Sequence, residues 1–242
     1  GGNINVLWIH TITMFRCWAS VILALIVTAT YVTSLPGSYA IQRRASKCNG
    51  YQDLCNRKYS NVTHIGAHDS FAVGKLGSLG SNQEANVTVQ LEDGIRLLQI
   101  QTHASSGHQD SNPSGLSLCH TSCALKNGGT LESYLRQVKQ FLNQNKNEVV
   151  TLVITNPDNK PVSNFAKAFE NTGLNSMAYR ANSNSISKND WPTLQELISQ
   201  NQRVVVFLDY KADVNQAKYI LPEFQNIWEN PYDQTSSNFN CT

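Results

Sequence analysis

The sequence predicts an α/β fold in which helices cover both faces of a parallel sheet. Strand-like and helix-like segments alternate along residues 61–242. Several of the strand-like segments are apolar at most positions and show no strict alternation with polar residues, which is typical of strands buried on both faces in a parallel sheet. Successive strands end in polar side chains, and the carboxyl ends of strands are where α/β folds place their chemistry.

The composition is that of a foldable globular chain. Hydrophobic residues make up 40% of the 242 residues and charged residues 15%, a balance that allows a buried core. The formal net charge is +2, and no run of Lys or Arg forms a stripe that could follow a phosphate backbone. A nucleic-acid partner is therefore not expected.

The N-terminal segment has the composition of a secretory signal peptide. Arg16 provides a basic start, residues 19–32 are nearly all apolar, and residues 38–40 offer a cleavage site. A retained membrane anchor is the alternative, but the apolar run is shorter than the about 20 residues of a membrane span. We therefore expect a secreted protein. The expected parts are residues 1–40 (upstream residues and signal peptide, removed), 41–60 (a disulfide-bearing lead-in) and 61–242 (the domain).

The cysteines agree with an oxidising compartment. Cys48 and Cys55 lie close in sequence, as do Cys119 and Cys123, so two local disulfides are the most economical pairing. A zinc site would want closer, CxxC-type spacing. The sequons that predict N-glycosylation are Asn86 and Asn240.

The first part of the domain predicts two strands separated by a loop and a helix. Residues 62–67 are short, apolar and end in two small residues, so they predict the first strand. Glycines punctuate residues 71–80, which predict a loop. Gln83, Val87, Gln90 and Leu91 fall on related turns of a predicted helix over residues 82–91, until an Asp-Gly pair breaks the pattern. Residues 95–101 predict the second strand.

The middle of the domain predicts two further strands around a long helix. Residues 105–114 are rich in Gly, Ser and Pro and predict a loop before a short third strand over residues 116–119. Thr130 is a favourable N-cap, and an apolar stripe over residues 130–143 predicts an amphipathic helix. The β-branched residues 148–155 predict the fourth strand.

The last part of the domain predicts two helices and a strand that is apolar after its first residue. Residues 161–171 and 193–199 predict the helices, and the run of Val, Phe and Leu in residues 203–208 predicts the fifth strand. Residues 177–180 are a weaker strand candidate. After Lys211, helical fragments give way to a polar tail.

Polar side chains stand at the ends of the five predicted strands. Because alternate residues of a strand face the same way, Gln99, Gln101 and His103 are expected on one face. Burying an amide there without a partner costs about 1–3 kcal/mol, so water or a ligand is expected beside it. The residues at these strand ends are His68, Asp69, Gln99, Gln101, His103, His120, Asn156, Asp209 and Tyr210.

His68 and His120 suit paired general base and general acid catalysis. Near neutral pH one imidazole can start neutral and another protonated, and the carboxylate of Asp69 can orient an imidazole. This combination favours cleavage of a phosphodiester by an internal hydroxyl, with a cation to stabilise the charge that develops on the phosphate. Each residue alone also has an ordinary interpretation: His120 lies in a disulfide loop, and Asp209 can cap the next turn.

Five short motifs in a fixed order resemble a known family. They are residues 66–70 (Gly-Ala-His-Asp-Ser), 94–99 (Gly-Ile-Arg-Leu-Leu-Gln), 118–121 (Leu-Cys-His-Thr), 148–157 and 204–210. Together they resemble the phosphatidylinositol-specific phospholipase C X-domain superfamily, in particular its secreted fungal PLC-like phosphodiesterases. The resemblance implies a TIM-type (β/α) barrel with its site at the C-terminal face. Such a barrel usually takes about 250 residues, so we expect it to be incomplete at the C-terminus of this chain.

The resemblance also implies roles for individual residues. His68 matches the first catalytic histidine of the family, His120 matches the second, and Asp69 matches the residue beside the first. Asp209 and Tyr210 stand where members of the family contact the headgroup. The complete set of predicted substrate contacts is Gln99, Gln101, His103, Asn156, Asp209 and Tyr210.

The chain departs from the family at the end of the second strand. Metal-free bacterial members have Asp and Arg where this chain has Gln99 and Gln101, and calcium-dependent members have acidic ligands there. The sequence prediction names no cofactor. Calcium is the alternative, and its ligands would be Asp69, Gln99, Gln101 and Asn156, with one formal negative charge among them. Possible sources of the missing positive charge are Lys75 and Lys160.

The favoured function is a secreted phosphoric diester hydrolase of the phospholipase C type that acts in lipid metabolism. Its substrate would be a phosphoinositide-like or related phosphodiester, and peripheral contact with a membrane is expected. The alternative is an inactive barrel that binds an anionic lipid headgroup or a glycan, which Gln99 and Gln101 favour because amides bind polyols well. A membrane-tethered structural protein is a third interpretation, based only on the apolar N-terminus.

Overall fold

A computed structural model describes residues 45–75, 77–105 and 112–229, which belong to one compact unit. The predicted signal peptide and the Asn240 sequon lie outside the described residues. None of the described helices is long and apolar enough to cross a membrane. The helices are α1 (Val87–Glu92), α2 (Leu131–Gln144), α3 (Val162–Thr172) and α4 (Leu194–Ser199).

The described residues form a mixed α/β fold around a seven-stranded open sheet. The strand order is β4-β3-β2-β5-β6-β7, and β1 pairs with β2. The pairs β1–β2, β2–β5, β5–β6 and β6–β7 are parallel. The sheet does not close into a barrel within the described residues. The strands are β1 (Gly66–Ala67), β2 (Leu97–Ala104), β3 (Leu116–Cys119), β4 (Asn127–Thr130), β5 (Val150–Thr155), β6 (Val204–Leu208) and β7 (Leu221–Pro222).

One part of the parallel-sheet prediction is wrong, because β3 and β4 are antiparallel. β3 folds back along the last residues of β2, with Leu118 opposite Thr102. The end of β3 therefore lies beside Gln101, where the pairing of β2 with β5 also ends. This hairpin brings the residue after β3 to the carboxyl edge of the parallel strands, although β3 itself runs the other way.

Strand lengths also differ from the prediction. The first strand was expected over residues 62–67 but keeps only Gly66–Ala67. The N–H of Val62 bonds to Tyr59 in a turn, while the carbonyl of Ile65 accepts from both Arg96 and Leu97, so the segment before Gly66 forms no ladder. The weak candidate over residues 177–180 is reduced to a single bridge between Ala178 and Val204.

The two faces of the sheet bury different residues, as the alternation of side chains along a strand requires. One face of β2 presents Leu98 and Ile100, which pack with the apolar stripes of α2 and α3. Leu97 packs on the other face with a second cluster that includes Trp191 and Phe207. Gln99 and Gln101 continue the Leu97 face towards the end of β2. The predicted placement of these two amides on one face is therefore confirmed.

Local sequence signals explain the best-predicted elements. The Thr130 side chain accepts from the Ser133 N–H and caps α2, as predicted. Thr193 and Glu196 form a capping box at the start of α4. The lead-in is tied to the sheet, because the Asn49 side chain bonds to both the N–H and the carbonyl of Val149. The structure contains both predicted disulfides, Cys48–Cys55 and Cys119–Cys123.

Candidate active site

The His68-Asp69 pair lies in a sharp reversal of the chain directly after β1. Asp69 has a left-handed backbone, with φ of 42°. Its N–H donates to Oε1 of Gln99 at 2.7 Å, and the N–H of Ser70 donates to the Gln99 carbonyl at 2.9 Å. The side-chain amide of Gln83 donates to the His68 carbonyl at 2.6 Å. The pair is thus fastened to the end of β2 and to the loop that precedes α1.

His120 lies in a second tight turn, directly after β3. Its N–H donates to the carbonyl of Lys126, and the Cys119–Cys123 disulfide closes the same turn. Thr121 has a left-handed backbone with φ of 61°, and its N–H donates to Oε1 of Gln101 at 2.6 Å. The predicted strand-end position of His120 therefore comes from a hairpin, held to β2 by Gln101.

The two histidines meet at one carboxylate oxygen. The Nε2 atom of His68 lies 3.3 Å from Oδ2 of Asp69, and the Nε2 atom of His120 lies 3.5 Å from the same oxygen. The Asp69 side chain is 4% exposed, while those of His68 and His120 are 72% and 27% exposed. A buried carboxylate thus stands between two solvent-accessible imidazoles, which can exchange protons with a bound substrate.

A short loop before α1 contacts all three of these residues, and the sequence did not predict these contacts. The amide of Asn82 donates to Oδ2 of Asp69 at 3.0 Å, and Nδ1 of His120 lies 3.1 Å from the carbonyl of Gly80. A carbonyl only accepts, so Nδ1 of His120 carries a hydrogen and Nε2 is the nitrogen that gains or loses a proton. Gly80 has a φ of +69°, a conformation that glycine adopts at little cost.

The other predicted substrate residues have partners within the fold. Nδ1 of His103 pairs with Asp158 at 3.1 Å. The N–H of Ala104 chiefly, and His103 in addition, lower the pKa of Asp158. The amide of Asn156 is buried, and it bonds to the backbone of Lys160 and Tyr210. These hydrogen bonds leave little of Asn156 for a ligand.

Asp209 and Tyr210 follow β6 at the same edge of the sheet. Oδ1 of Asp209 accepts the N–H groups of Asn156 and Tyr210, so the turn-capping interpretation applies to it. Burial raises the pKa of Asp209 despite these bonds, and the charge of Glu229 adds to the rise. Tyr210 is 53% exposed, and its ring lies 6.0 Å from that of Phe224. Tyr210 is therefore the more accessible of the two predicted headgroup contacts.

Glu223 is a further acidic group at this edge that the sequence prediction missed. It directly follows β7, and because Leu208 pairs with Pro222 it stands beside Asp209 at the neighbouring strand end. It is only 2% exposed. Burial, then a hydrogen bond with Glu229, then the charges of Glu229 and Asp209 raise the pKa of Glu223 to about 8. β7 is two residues long, so no periodicity in the sequence reveals it.

The geometry does not suit a metal ion held by the predicted oxygen ligands. Oε1 of Gln99, Oε1 of Gln101 and Oδ1 of Asn156 already accept backbone N–H groups. Oδ1 of Asp69 is buried and has no hydrogen-bond partner among the described residues. Those residues also contain no group of three or more His, Cys, Asp or Glu side chains arranged for a metal. The three amide oxygens of the calcium alternative are therefore already engaged by the backbone, and Asp69 is its one carboxylate.

The chain is similar to proteins of one family. The family model PI-PLC X matches residues 54–242. An uncharacterized secreted protein of Arthroderma benhamiae is 45% identical over 80% of this chain and 42% of its own length. A PI-PLC X domain-containing protein 1 of the same fungus is 41% identical over 89% of this chain and 67% of its own length. This chain thus spans less than half of the first relative and about two thirds of the second.

Solved structures show the same kind of fold. Two phosphatidylinositol-specific phospholipase C structures from Staphylococcus aureus, a pentafluoro-Phe form and an F249X mutant, match with TM-scores of 0.53 and 0.52. Each covers 72% of this chain and 56% of its own length, at 17% sequence identity. At this identity the match shows a shared, TIM-barrel-like arrangement of sheet and helices and nothing about the reaction.

Proposed function

The chain belongs to the PI-PLC X domain family, and on that premise we propose that it is a phosphoric diester hydrolase of the phospholipase C type. Its substrate is a phosphoinositide-like or related phosphodiester with a hydroxyl next to the phosphate, and its activity belongs to lipid metabolism. His68 acts as the general base and His120 as the general acid. Asp69 lies between them and orients both imidazoles.

In the proposed reaction the neighbouring hydroxyl oxygen attacks phosphorus while the neutral imidazole of His68 takes the hydroxyl proton. A new P–O bond to that oxygen forms, and the P–O bond to the lipid alcohol breaks. The protonated imidazole of His120 gives its proton to the departing oxygen. The products are a cyclic phosphodiester and the free alcohol. His68 ends protonated and His120 neutral. Water then attacks the phosphorus of the cyclic phosphodiester: the neutral His120 takes a proton from the water, and His68 returns its proton to the ring oxygen whose P–O bond breaks, which completes the hydrolysis and resets both histidines.

The observation that carries this proposal is the convergence of both Nε2 atoms on one oxygen of Asp69. The two contacts are longer than strong hydrogen bonds, which is common for catalytic groups before substrate binds. A negative charge at this point favours the imidazolium that each histidine becomes or starts as during the reaction. Binding of a headgroup or glycan alone does not require two accessible imidazoles around a buried carboxylate, whereas acid-base catalysis does.

The charge that develops on the phosphate needs a positive partner. No Lys or Arg pairs with Asp69 among the described residues. We propose Lys126 for the role of positive partner, because its backbone is hydrogen-bonded to His120. The carbonyl of Lys126 accepts the His120 N–H, and its ammonium donates to the carbonyl of Val73. An ammonium has three donors, which leaves donors for a substrate oxygen. Replacing Lys126 by Met is expected to lower turnover more than substrate binding.

We also propose that the protein is secreted and acts on lipid at a membrane surface. Its two disulfides fit an oxidising compartment, and one relative is named as a secreted protein. Leu79 is 83% exposed and Leu125 is 46% exposed. A side chain at Gly80 would lie 3.2 Å from Leu125 and 3.6 Å from His120, so both leucines lie near the site. Such side chains can enter a lipid surface.

The proposal is tested by assaying the full-length protein on phosphatidylinositol and on simpler phosphodiesters, with and without calcium or a chelator. His68→Ala and His120→Ala are assayed beside it. We expect turnover that does not need calcium and that falls by about 10²–10⁴-fold in each variant. Activity that survives both substitutions would refute the two-histidine reaction, and turnover of no diester at all would favour the binding barrel.

A further inference from the structure

Gln99 and Gln101 make the same contact in two different loops. Oε1 of Gln99 accepts the N–H of Asp69 at 2.7 Å, and Asp69 directly follows His68. Oε1 of Gln101 accepts the N–H of Thr121 at 2.6 Å, and Thr121 directly follows His120. Each glutamine thus fixes the residue next to a candidate catalytic histidine. Both act from alternate positions of β2, so they lie on one face of one strand.

The two backbone positions that the glutamines fix are unfavourable ones. Asp69 and Thr121 have φ values of 42° and 61°, in the left-handed region that is sterically unfavourable for L-residues. Such a conformation persists only where surrounding contacts hold it. The hydrogen bond from each N–H to a glutamine is one such contact. Loss of a glutamine acceptor would let the turn relax and move the adjacent imidazole.

We propose that Gln99 and Gln101 are positioning residues that act through the N–H groups of Asp69 and Thr121 to hold the two histidine-bearing turns together at the end of β2. The inference rests on the proposed function, because the turns matter for the catalytic placement of His68 and His120. The neutral amides serve here as hydrogen-bond acceptors for the backbone. They do not replace the missing charge at the phosphate.

Substitution of Gln101 separates this role from direct contact with substrate. Gln101→Met keeps the length of the side chain but removes the acceptor, whereas Gln101→Glu keeps an acceptor and removes the amide donor. Gln99→Met repeats the test at the other turn. Gln144→Met, at the exposed last residue of α2, is the matched control. Circular dichroism checks that every variant is folded.

The first readout is solvent exchange of individual backbone amides in the ¹⁵N-labelled full-length protein. In Gln101→Met the Thr121 amide is expected to exchange roughly tenfold faster, the factor for losing one hydrogen bond, while the Asp69 amide stays unchanged. Gln99→Met gives the reverse pattern, and Gln101→Glu restores protection of Thr121. This readout does not depend on turnover, so it stands even where the proposed hydrolase activity fails.

The second readout is steady-state kinetics on a soluble inositol phosphodiester. A displaced imidazole lowers kcat by about 10–100-fold in Gln101→Met and leaves KM within about threefold, and Gln101→Glu is at least about threefold faster than Gln101→Met. Unchanged exchange of Thr121 in Gln101→Met would overturn the proposal. So would a Gln101→Met variant that raises KM and leaves kcat unchanged, because that result assigns the amide to the substrate.

Discussion

Asp69→Asn is the substitution whose effect follows most directly from the geometry of the site. It keeps the shape of a side chain that is 4% exposed and removes the charge that faces both imidazoles. A full charge pair at the His120 distance of 3.5 Å interacts by about 5 kcal/mol at an effective dielectric constant of about 20. His120 is 27% exposed, and solvent screening reduces this interaction to about 2–3 kcal/mol.

That energy corresponds to a loss of roughly 10²-fold in kcat/KM, since 1.36 kcal/mol is about tenfold in rate. The assay is the initial rate of hydrolysis of a soluble inositol phosphodiester by the full-length protein. Asp93→Asn makes the same chemical change at an exposed position and is the control. The reasoning is refuted if folded Asp69→Asn keeps kcat/KM within about threefold of the unchanged protein.

Further predictions concern stability, the loop before α1 and lipid contact. The pKa of Glu223 is about 8 in the folded state against 4.5 in the unfolded state, so its contribution to stability is present below about pH 4.5 and is lost as the pH rises to about 8. The Tm of Glu223→Gln should therefore fall less steeply between pH 5 and 8 than the Tm of the unchanged protein. Parallel plots of Tm against pH for the two proteins would contradict this. Asn82→Ala removes the 3.0 Å bond to Asp69 and should lower kcat about tenfold, whereas an unchanged kcat would show that Asp69 needs no such support. Leu79→Ser should weaken sedimentation with phospholipid vesicles by about tenfold with little change on a soluble substrate, and equal binding would remove Leu79 from the lipid contact.

The elements that the sequence predicted well are those with strong local signals. β5 and β6 were predicted because every residue in them is apolar or β-branched. The start of α2 was predicted because Thr130 is an N-cap before an amphipathic run. The short spacing of the cysteines likewise predicted both disulfides. In each case the determining contacts are made by residues close in sequence.

The features that escaped prediction depend on pairing between distant residues. β4 contains two glycines and no apolar side chain, so only its pairing with β3 makes it a strand. The antiparallel direction of β3 is likewise set by its partner, β2. Gln99 and Gln101 were expected to contact substrate, yet their oxygens bind N–H groups 30 and 20 residues away along the chain. No local pattern encodes such contacts.

The assignment of His68 as base and His120 as acid is tested most directly by changing the leaving group. The measurement is kcat/KM of His68→Ala and His120→Ala on inositol phosphodiesters with either an alkyl or a p-nitrophenyl leaving group. A nitrophenolate departs without a proton, so His120→Ala should regain about 10²-fold on that substrate while His68→Ala does not. Equal losses for both variants on both substrates would contradict the two assigned roles.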